Sequence, residues 1–231
     1  MKYSRVLIKL SGEFLGEKGS GFSAEAARDT ARKLAGVISQ TQAAVLVGGG
    51  NIMRARAAKG LGRLNADYMG MTATLFNAIG LKDAFDSIGI DSKVLSALDL
   101  RGITEPFNAV RARALLQEGT TLILAGGTGS PFFTTDTAAA LRALEINADA
   151  LLKATKVDGA YDKDPEKDSG ARLIKGLISI DEAISKNLGV MDISAFSLLK
   201  GKGIDIVIFN FKQEGSLKKA VRGEAVGTVL R

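Results

Sequence analysis

Residues 121–136 read TLILAGGTGSPFFTTD, and this stretch decides the architecture. Residues 121–125 form a short apolar run without polar alternation, which predicts a strand covered on both faces. The run enters Gly126-Gly127-Thr128-Gly129, and a helix is predicted over 135–146, with Thr134, Thr135 and Asp136 at its start. The same plan recurs outward in both directions. Upstream, a strand at 3–10 ends in Ser11-Gly12 and is followed by a helix from Ser23 to about residue 40. A strand at 43–47 ends in Gly48-Gly49-Gly50, and a helix over 64–85 follows, softly broken at Gly70 and Gly80. Residues 93–95 read as strand and 109–117 as a helix closed by Gly119. Downstream, strands at 150–154, 205–209 and 228–230 alternate with helices at 180–187, 194–200 and 215–221, with a polar loop over 158–170. This alternation predicts an α/β fold, a three-layer sandwich whose mainly parallel central sheet is covered by helices on both faces.

The bulk composition narrows the chemistry. At 231 residues the chain suits one large α/β domain or two closely joined lobes, with a boundary expected near Ala148. It contains no cysteine and no histidine. Disulfides and thiolate chemistry are thereby excluded, and so is the usual near-neutral general base. The apolar run at 6–10 is interrupted by Lys9 and is too short for a signal sequence. A cytoplasmic protein without a membrane partner is expected. The net charge of +6 is spread among acidic residues with few aromatics, which argues against a nucleic-acid partner.

Ligands of open α/β sheets bind at the carboxyl ends of the strands. Three predicted strands here end in glycine turns, and glycine lets backbone amides approach an anion closely. A phosphate-bearing ligand is the reading. The P-loop pattern is missing, and the Gly127–Gly129 spacing leads to Pro131-Phe132 rather than to a third glycine, so a dinucleotide fold is disfavoured. Lys9 stands beside the first turn and Arg54 after the second, both suited to phosphate oxygens. Each has an ordinary surface explanation. Asp136 could be a helix cap, Asp67 could merely decorate the first turn of its helix, and Asp158, Asp162 and Asp164 could belong to a solvated turn.

Read together, the motifs resemble the bacterial UMP kinases of the amino-acid-kinase family. The matching segments are Lys9-Leu10-Ser11-Gly12-Glu13, Gly48-Gly49-Gly50-Asn51-Ile52-x-Arg54 and Asp67-Tyr68-Met69-Gly70-Met71. They continue with Gly127-Thr128-Gly129-Ser130-Pro131-Phe132-Phe133-Thr134-Thr135-Asp136 and with Lys153-Ala154-Thr155-Lys156-Val157-Asp158-Gly159-Ala160-Tyr161-x-x-Asp164-Pro165. Met191-Asp192 and Gly223-Glu224-x-x-Gly227-Thr228 complete the match, which spans essentially the whole chain.

The resemblance implies the amino-acid-kinase fold and ATP-dependent phosphorylation of UMP to UDP in pyrimidine nucleotide biosynthesis. It implies an acceptor lobe over 1–148 and a donor lobe over 149–231, and Mg²⁺ arriving with ATP rather than at a metal site of the protein. Lys9, Ser11 and Gly12 would contact the ATP phosphates, Leu10 and Gly50 would also bind ATP, Arg54 would bind it from between the two nucleotides, and Thr155, Tyr161 and Asp164 would hold its adenosine end. Gly49 would face the UMP phosphate and Asp67 its ribose. Thr128, Gly129, Ser130, Pro131, Phe132, Phe133, Thr134 and Thr135 would wrap the rest of UMP. Lys9 and Arg54, organised by Asp136, Asp158 and Asp192, would be catalytic. A homohexamer with GTP and UTP as effectors is implied too. The same-fold alternative is a kinase of a small carboxylate or carbamate.

Three positions depart from the family pattern: Ser130 replaces a usual Asn, Ala55 a usual Gly and Phe14 a small residue. Ser130 puts one uracil contact in question, and the other two are expected to touch packing.

The missing histidine fits this chemistry. A phosphate monoester with a second pKa near 6 is largely a dianion at neutral pH and can attack phosphorus without a base. What remains is alignment and neutralisation of crowded negative charge.

Overall fold

The computed structural model describes residues 1–16, 21–54, 60–165 and 167–231. Its strands are β1 (Arg5–Leu10), β2 (Gln42–Val47), β3 (Ser92–Ser96), β4 (Glu105–Pro106), β5 (Thr121–Ala125), β6 (Ala150–Thr155), β7 (Ala160–Tyr161), β8 (Leu173–Ile174), β9 (Gly176–Ile178), β10 (Asp205–Asn210) and β11 (Thr228–Leu230). The helices are α1 (Ala24–Ile38), α2 (Arg63–Asp86), α3 (Ala109–Gln117), α4 (Thr135–Glu145), α5 (Ile180–Ser185), α6 (Ile193–Leu199) and α7 (Ser216–Arg222), with a 3₁₀ turn at Gly12–Phe14.

Nine strands form one sheet in the order β4-β3-β5-β2-β1-β6-β10-β11-β9, and β7 pairs with β8 apart from it. Within the large sheet only β10 and β11 run antiparallel. Side chains alternate across each strand. Val6, Ile8 and Leu10 of β1 therefore join a core with α1, α2 and α7, while Leu7 joins a second core with α3, α4, α5 and α6. Both faces are covered, as the uninterrupted apolar strands require. Because β1, β2, β5, β6 and β10 are parallel, their carboxyl ends emerge along a single edge.

Two features position what lies on that edge. Ala138, Ala139, Ala140 and Ala143 give α4 a thin, fully buried face, so its axis comes close to the sheet. Its first turn then sits over the ends of β1 and β6. Gly12 is equally specific: a Cβ there would lie 2.2 Å from Asn51 Oδ1 and 2.6 Å from the Gly48 carbonyl. Only glycine lets the first and second turns touch.

Several expectations need correction. α2 is one unbroken helix through Gly70 and Gly80. An interior glycine costs roughly 1 kcal/mol of helix propensity, but the Phe22 ring packs where a Gly80 Cβ would be, 2.2 Å from Cζ. α5 stops at Ser185 rather than at Asn187, which adopts a left-handed φ of 48°. The polar loop expected over 158–170 contains β7. The lobes expected on either side of Ala148 share one continuous sheet, since β1 pairs with both β2 and β6.

Candidate active site

Two cavities open along the glycine-turn edge, of about 770 Å³ and 560 Å³. The larger is lined by Gly48, Gly49, Gly50, Arg54, Asp67, Thr128, Ser130, Phe133, Thr134, Thr135, Asp136 and Asp192, with Arg63, Met71 and Thr74 from α2. The smaller is lined by Thr155, Tyr161 and Asp164 together with Phe14, Lys153 and Lys156. Lys9, Ser11 and Glu13 border both. The smaller cavity thus takes residues from both halves of the chain.

The junction is built around one carboxylate. Lys153 Nζ donates to Asp136 Oδ2 at 2.7 Å and also to the Val190 carbonyl. Lys9 Nζ lies 3.4 Å from Asp136 Oδ1, an enclosed oxygen that receives no hydrogen bond among the described residues. Burial alone would raise the Asp136 carboxyl, but the charges of Lys9 and Lys153 outweigh it and hold the group below its ordinary value. Burial pushes the Lys153 ammonium the other way, below a free lysine, and the nearby Lys9 adds to that. Asp136 works against it, raising the Lys153 value. The result is a compact site of two cations and one anion, with positive charge in excess. It suits a ligand that brings negative charge.

A second ionic bridge spans the mouth. Glu13 pairs with Arg54 on the larger cavity's side and with Lys156 on the smaller's. Arg54 Nε also donates to the Gly50 carbonyl at 3.2 Å. The turns beneath are locked by Asn77, which is fully buried and donates 2.7 Å hydrogen bonds to the Gly48 carbonyl and to Asn51 Oδ1.

Asp67 is not first-turn decoration. Its side chain is buried, accepting from Arg63 Nε at 2.7 Å and from the Phe132 N–H at 2.8 Å. That second bond fixes Phe132 at a φ of 73°, an unusual value for a bulky residue. Asp192 caps α6 through the Ala195 N–H at 2.9 Å. It also receives the hydroxyls of Thr134 and of Thr137, the latter at 3.0 Å, and so ties α4 to α6. Thr155 Oγ1 donates to the carbonyls of Val157, at 2.6 Å, and Phe209, at 3.0 Å.

Not every expected residue comes to the cavities. The Leu10 side chain is fully buried in a core because β1 alternation turns it away from Lys9, so its main chain is what it could offer to ATP. Gly12 and Gly129 differ: Gly12 lines the larger cavity, whereas Gly129, Pro131 and Phe132 do not. Asp158 also lies outside both, where it accepts from Asn210 Nδ2 at 2.9 Å. Phe14 does more than pack against the Phe211 ring 5.0 Å away, since it also borders the smaller cavity. Ala55 lies outside the described residues.

Sequence reasoning missed Lys153, Lys156 and Glu13 as site residues. A signal for Lys153 existed: a single lysine in an otherwise apolar strand, matching Lys9 in its own strand.

A model of the amino acid kinase family matches residues 4–210 of this chain. Solved structures are similar over nearly its full length. The UMP kinase of Bacillus anthracis is 31% identical with a TM-score of 0.94, covering 99% of this chain and 96% of its own. The UMP kinase of Ureaplasma parvum is 30% identical with a TM-score of 0.91, covering 100% and 99%. The uridylate kinase of Archaeoglobus fulgidus is 30% identical with a TM-score of 0.74, covering 98% and 99%.

Proposed function

This chain belongs to the amino acid kinase family, and from that premise we propose that it transfers the γ-phosphoryl group of ATP to UMP, giving UDP and ADP. The observation that carries this reading is the meeting of two cavities at Lys9, beside the Lys9–Asp136–Lys153 cluster. Solved UMP kinases of nearly the same fold support it.

UMP takes the larger cavity. Asp67 meets its ribose, Gly49 its phosphate, and the Thr128–Thr135 segment its base. ATP takes the smaller cavity, with Thr155, Tyr161 and Asp164 at the adenosine end and Ser11, Gly12 and Gly50 near its phosphates. The lobes 1–148 and 149–231 divide acceptor from donor, except that residues 9–14 and Gly50 of the first lobe also serve the donor. A phosphate oxygen of UMP attacks the γ-phosphorus in line. The new P–O bond forms as the bond to the β,γ-bridging oxygen breaks, and ADP leaves with that electron pair. No proton need be removed first. Lys9, Lys153 and Arg54 neutralise charge that accumulates on the transferring group. Asp136 keeps Lys9 and Lys153 directed at it, and Asp192 holds the first turn of α4.

Mg²⁺ arriving with ATP would supply charge neutralisation at its phosphates. The residues present fit that role: the enclosed Asp136 Oδ1 has no hydrogen-bond donor among the described residues and would accept from the ion's water shell.

A homohexamer with GTP and UTP as effectors belongs to the same reading. Tyr68, Met69, Phe76 and Ile79 expose apolar surface on α2, which supports burial of that helix between copies. Among the described residues no helix is long and apolar enough to cross a membrane.

An ADP-release assay with UMP, CMP, carbamate and N-acetylglutamate as acceptors tests the proposal. UMP should dominate, and preference for either small acid would transfer the chain to the other branch of the family.

A further inference from the structure

Arg142 is a buried cation that the phosphoryl transfer described above leaves without a part. It sits one turn from the end of α4 and its side chain is 6% exposed. The guanidinium stacks 3.9 Å from the centroid of the Phe107 ring and pairs with Glu145. Its other arm, Nη2, donates to the Gly127 carbonyl at 3.3 Å. Burying an arginine is costly unless its donors find partners, so a contact with a loop carbonyl at the edge of the larger cavity is informative.

The loop it reaches is held from two sides. On the α2 side, Thr74 Oγ1 accepts the Gly126 N–H at 2.8 Å. Within the turn, the Gly129 N–H meets the Gly126 carbonyl at 3.0 Å. On the α4 side Arg142 takes the Gly127 carbonyl. The Gly127–Thr128 peptide is trans, and a trans peptide points its C=O and N–H in opposite directions. With the carbonyl fixed toward α4, the Thr128 N–H is turned away from that helix. It has no hydrogen-bond partner among the described residues, and Gly127 and Thr128 both line the larger cavity.

We propose that Arg142 is a positioning residue for the acceptor nucleotide: by holding the Gly127 carbonyl it presents the Thr128 amide to an oxygen of bound UMP. This rests on the reading that the larger cavity takes UMP. Phe107 stacks on the guanidinium, Glu145 engages only its Nη1 arm, for which a glutamine oxygen would still be an acceptor, and the separate Nη2 arm holds the loop peptide. A purely structural arginine would act through the ion pair with Glu145 and would not distinguish the two nucleotides.

The test is steady-state kinetics on the wild type, Arg142→Gln, Arg142→Lys and Glu145→Gln, varying UMP and ATP separately. Arg142→Gln should raise the KM for UMP roughly tenfold, the worth of one hydrogen bond, and leave the KM for ATP within about twofold. Arg142→Lys, which retains a donor for the carbonyl, should recover much of the loss, and Glu145→Gln should keep the wild-type KM for UMP. Equal rises in both KM values, an unchanged KM for UMP, or a Glu145→Gln variant that reproduces the defect would each overturn the proposal. Amide NMR of the wild type tests it without any variant: saturating UMP should move the Thr128 N–H resonance downfield, and a resonance that stays put refutes the contact. Failure of the wild type to phosphorylate UMP at all would instead remove the reading beneath it.

Discussion

Lys9 and Lys153 are register partners on the adjacent parallel strands β1 and β6, and the Asp136 carboxylate is shared between their ammonium groups. Two cations at one level of a sheet repel each other, and the anion from α4 makes the pair tolerable while leaving net positive charge for a phosphoryl group. Replacing Lys153 with Ala should therefore cost as much as replacing Lys9. We expect kcat to fall about 10²- to 10³-fold in either variant, the scale of a lost transition-state donor, with the fold retained by circular dichroism. A Lys153→Ala enzyme with near-normal turnover would show that Lys9 suffices.

The same cluster sets a pH dependence. Burial holds the Lys153 ammonium below its ordinary value, so its charge is lost at lower pH than that of a free lysine. Activity should decline as pH rises through this value. Asp136 raises the Lys153 value, so Asp136→Asn should shift the alkaline decline to lower pH, besides lowering kcat. The kcat profile of the two enzymes between neutral and about pH 10 reads this directly. A shift toward higher pH would contradict the charge assignment.

Asp67 joins α2 to the acceptor segment through Arg63 and the Phe132 N–H. Asp67→Ala removes the carboxylate and releases a backbone held at positive φ, so the cavity loses both a contact and a fixed wall. The KM for UMP should rise by roughly one to two orders of magnitude, with little change in the KM for ATP. A rise confined to ATP would place Asp67 with the wrong substrate.

Much of this molecule is legible in its sequence because the signals are local. Uninterrupted apolar strands ending in glycine turns announce a parallel sheet and the edge that carries the ligand. The Ser23 and Thr134 caps set the starts of α1 and α4 within a residue. Lys153 is harder, because a lysine in a strand reads equally well as a side chain snorkelling to solvent. Only the register that sets it against Lys9 gives it a role. Asp192 carries an ordinary capping pattern, and its link to α4 through Thr134 and Thr137 exists only in three dimensions. The strands β4, β7, β8 and β9 are two or three residues long, too short for any periodicity to show. The uninterrupted course of α2 depends on Phe22, which lies 58 positions before Gly80 along the chain, counted from their numbers.

Far from the cavities, the chain ends meet at Asp205. Its side chain is 6% exposed and accepts from Lys2 Nζ at 2.8 Å, Tyr3 Oη at 2.7 Å and the Arg231 guanidinium at 2.7 and 2.8 Å. Burial alone would push the carboxyl up, but hydrogen bonds from Arg231, Lys2 and Tyr3 hold it far below the ordinary carboxylate range. Because the folded value lies below the unfolded one, the stabilisation is present above the ordinary aspartate value of 3.8 and drains away as pH falls below it. Asp205→Asn keeps the shape and removes the charge. Lys2 and Arg231 are 43% and 56% exposed and stay partly solvated, so the cost at neutral pH should be about 2 kcal/mol, below that of a fully buried pair. For a chain of this size that is a drop in Tm of roughly 4–8 °C. Calorimetry of both proteins at about pH 7, 5 and 3 should show a gap that holds between the first two and narrows at the third. A gap that widens with acid would mean the carboxylate is not what ties the termini together.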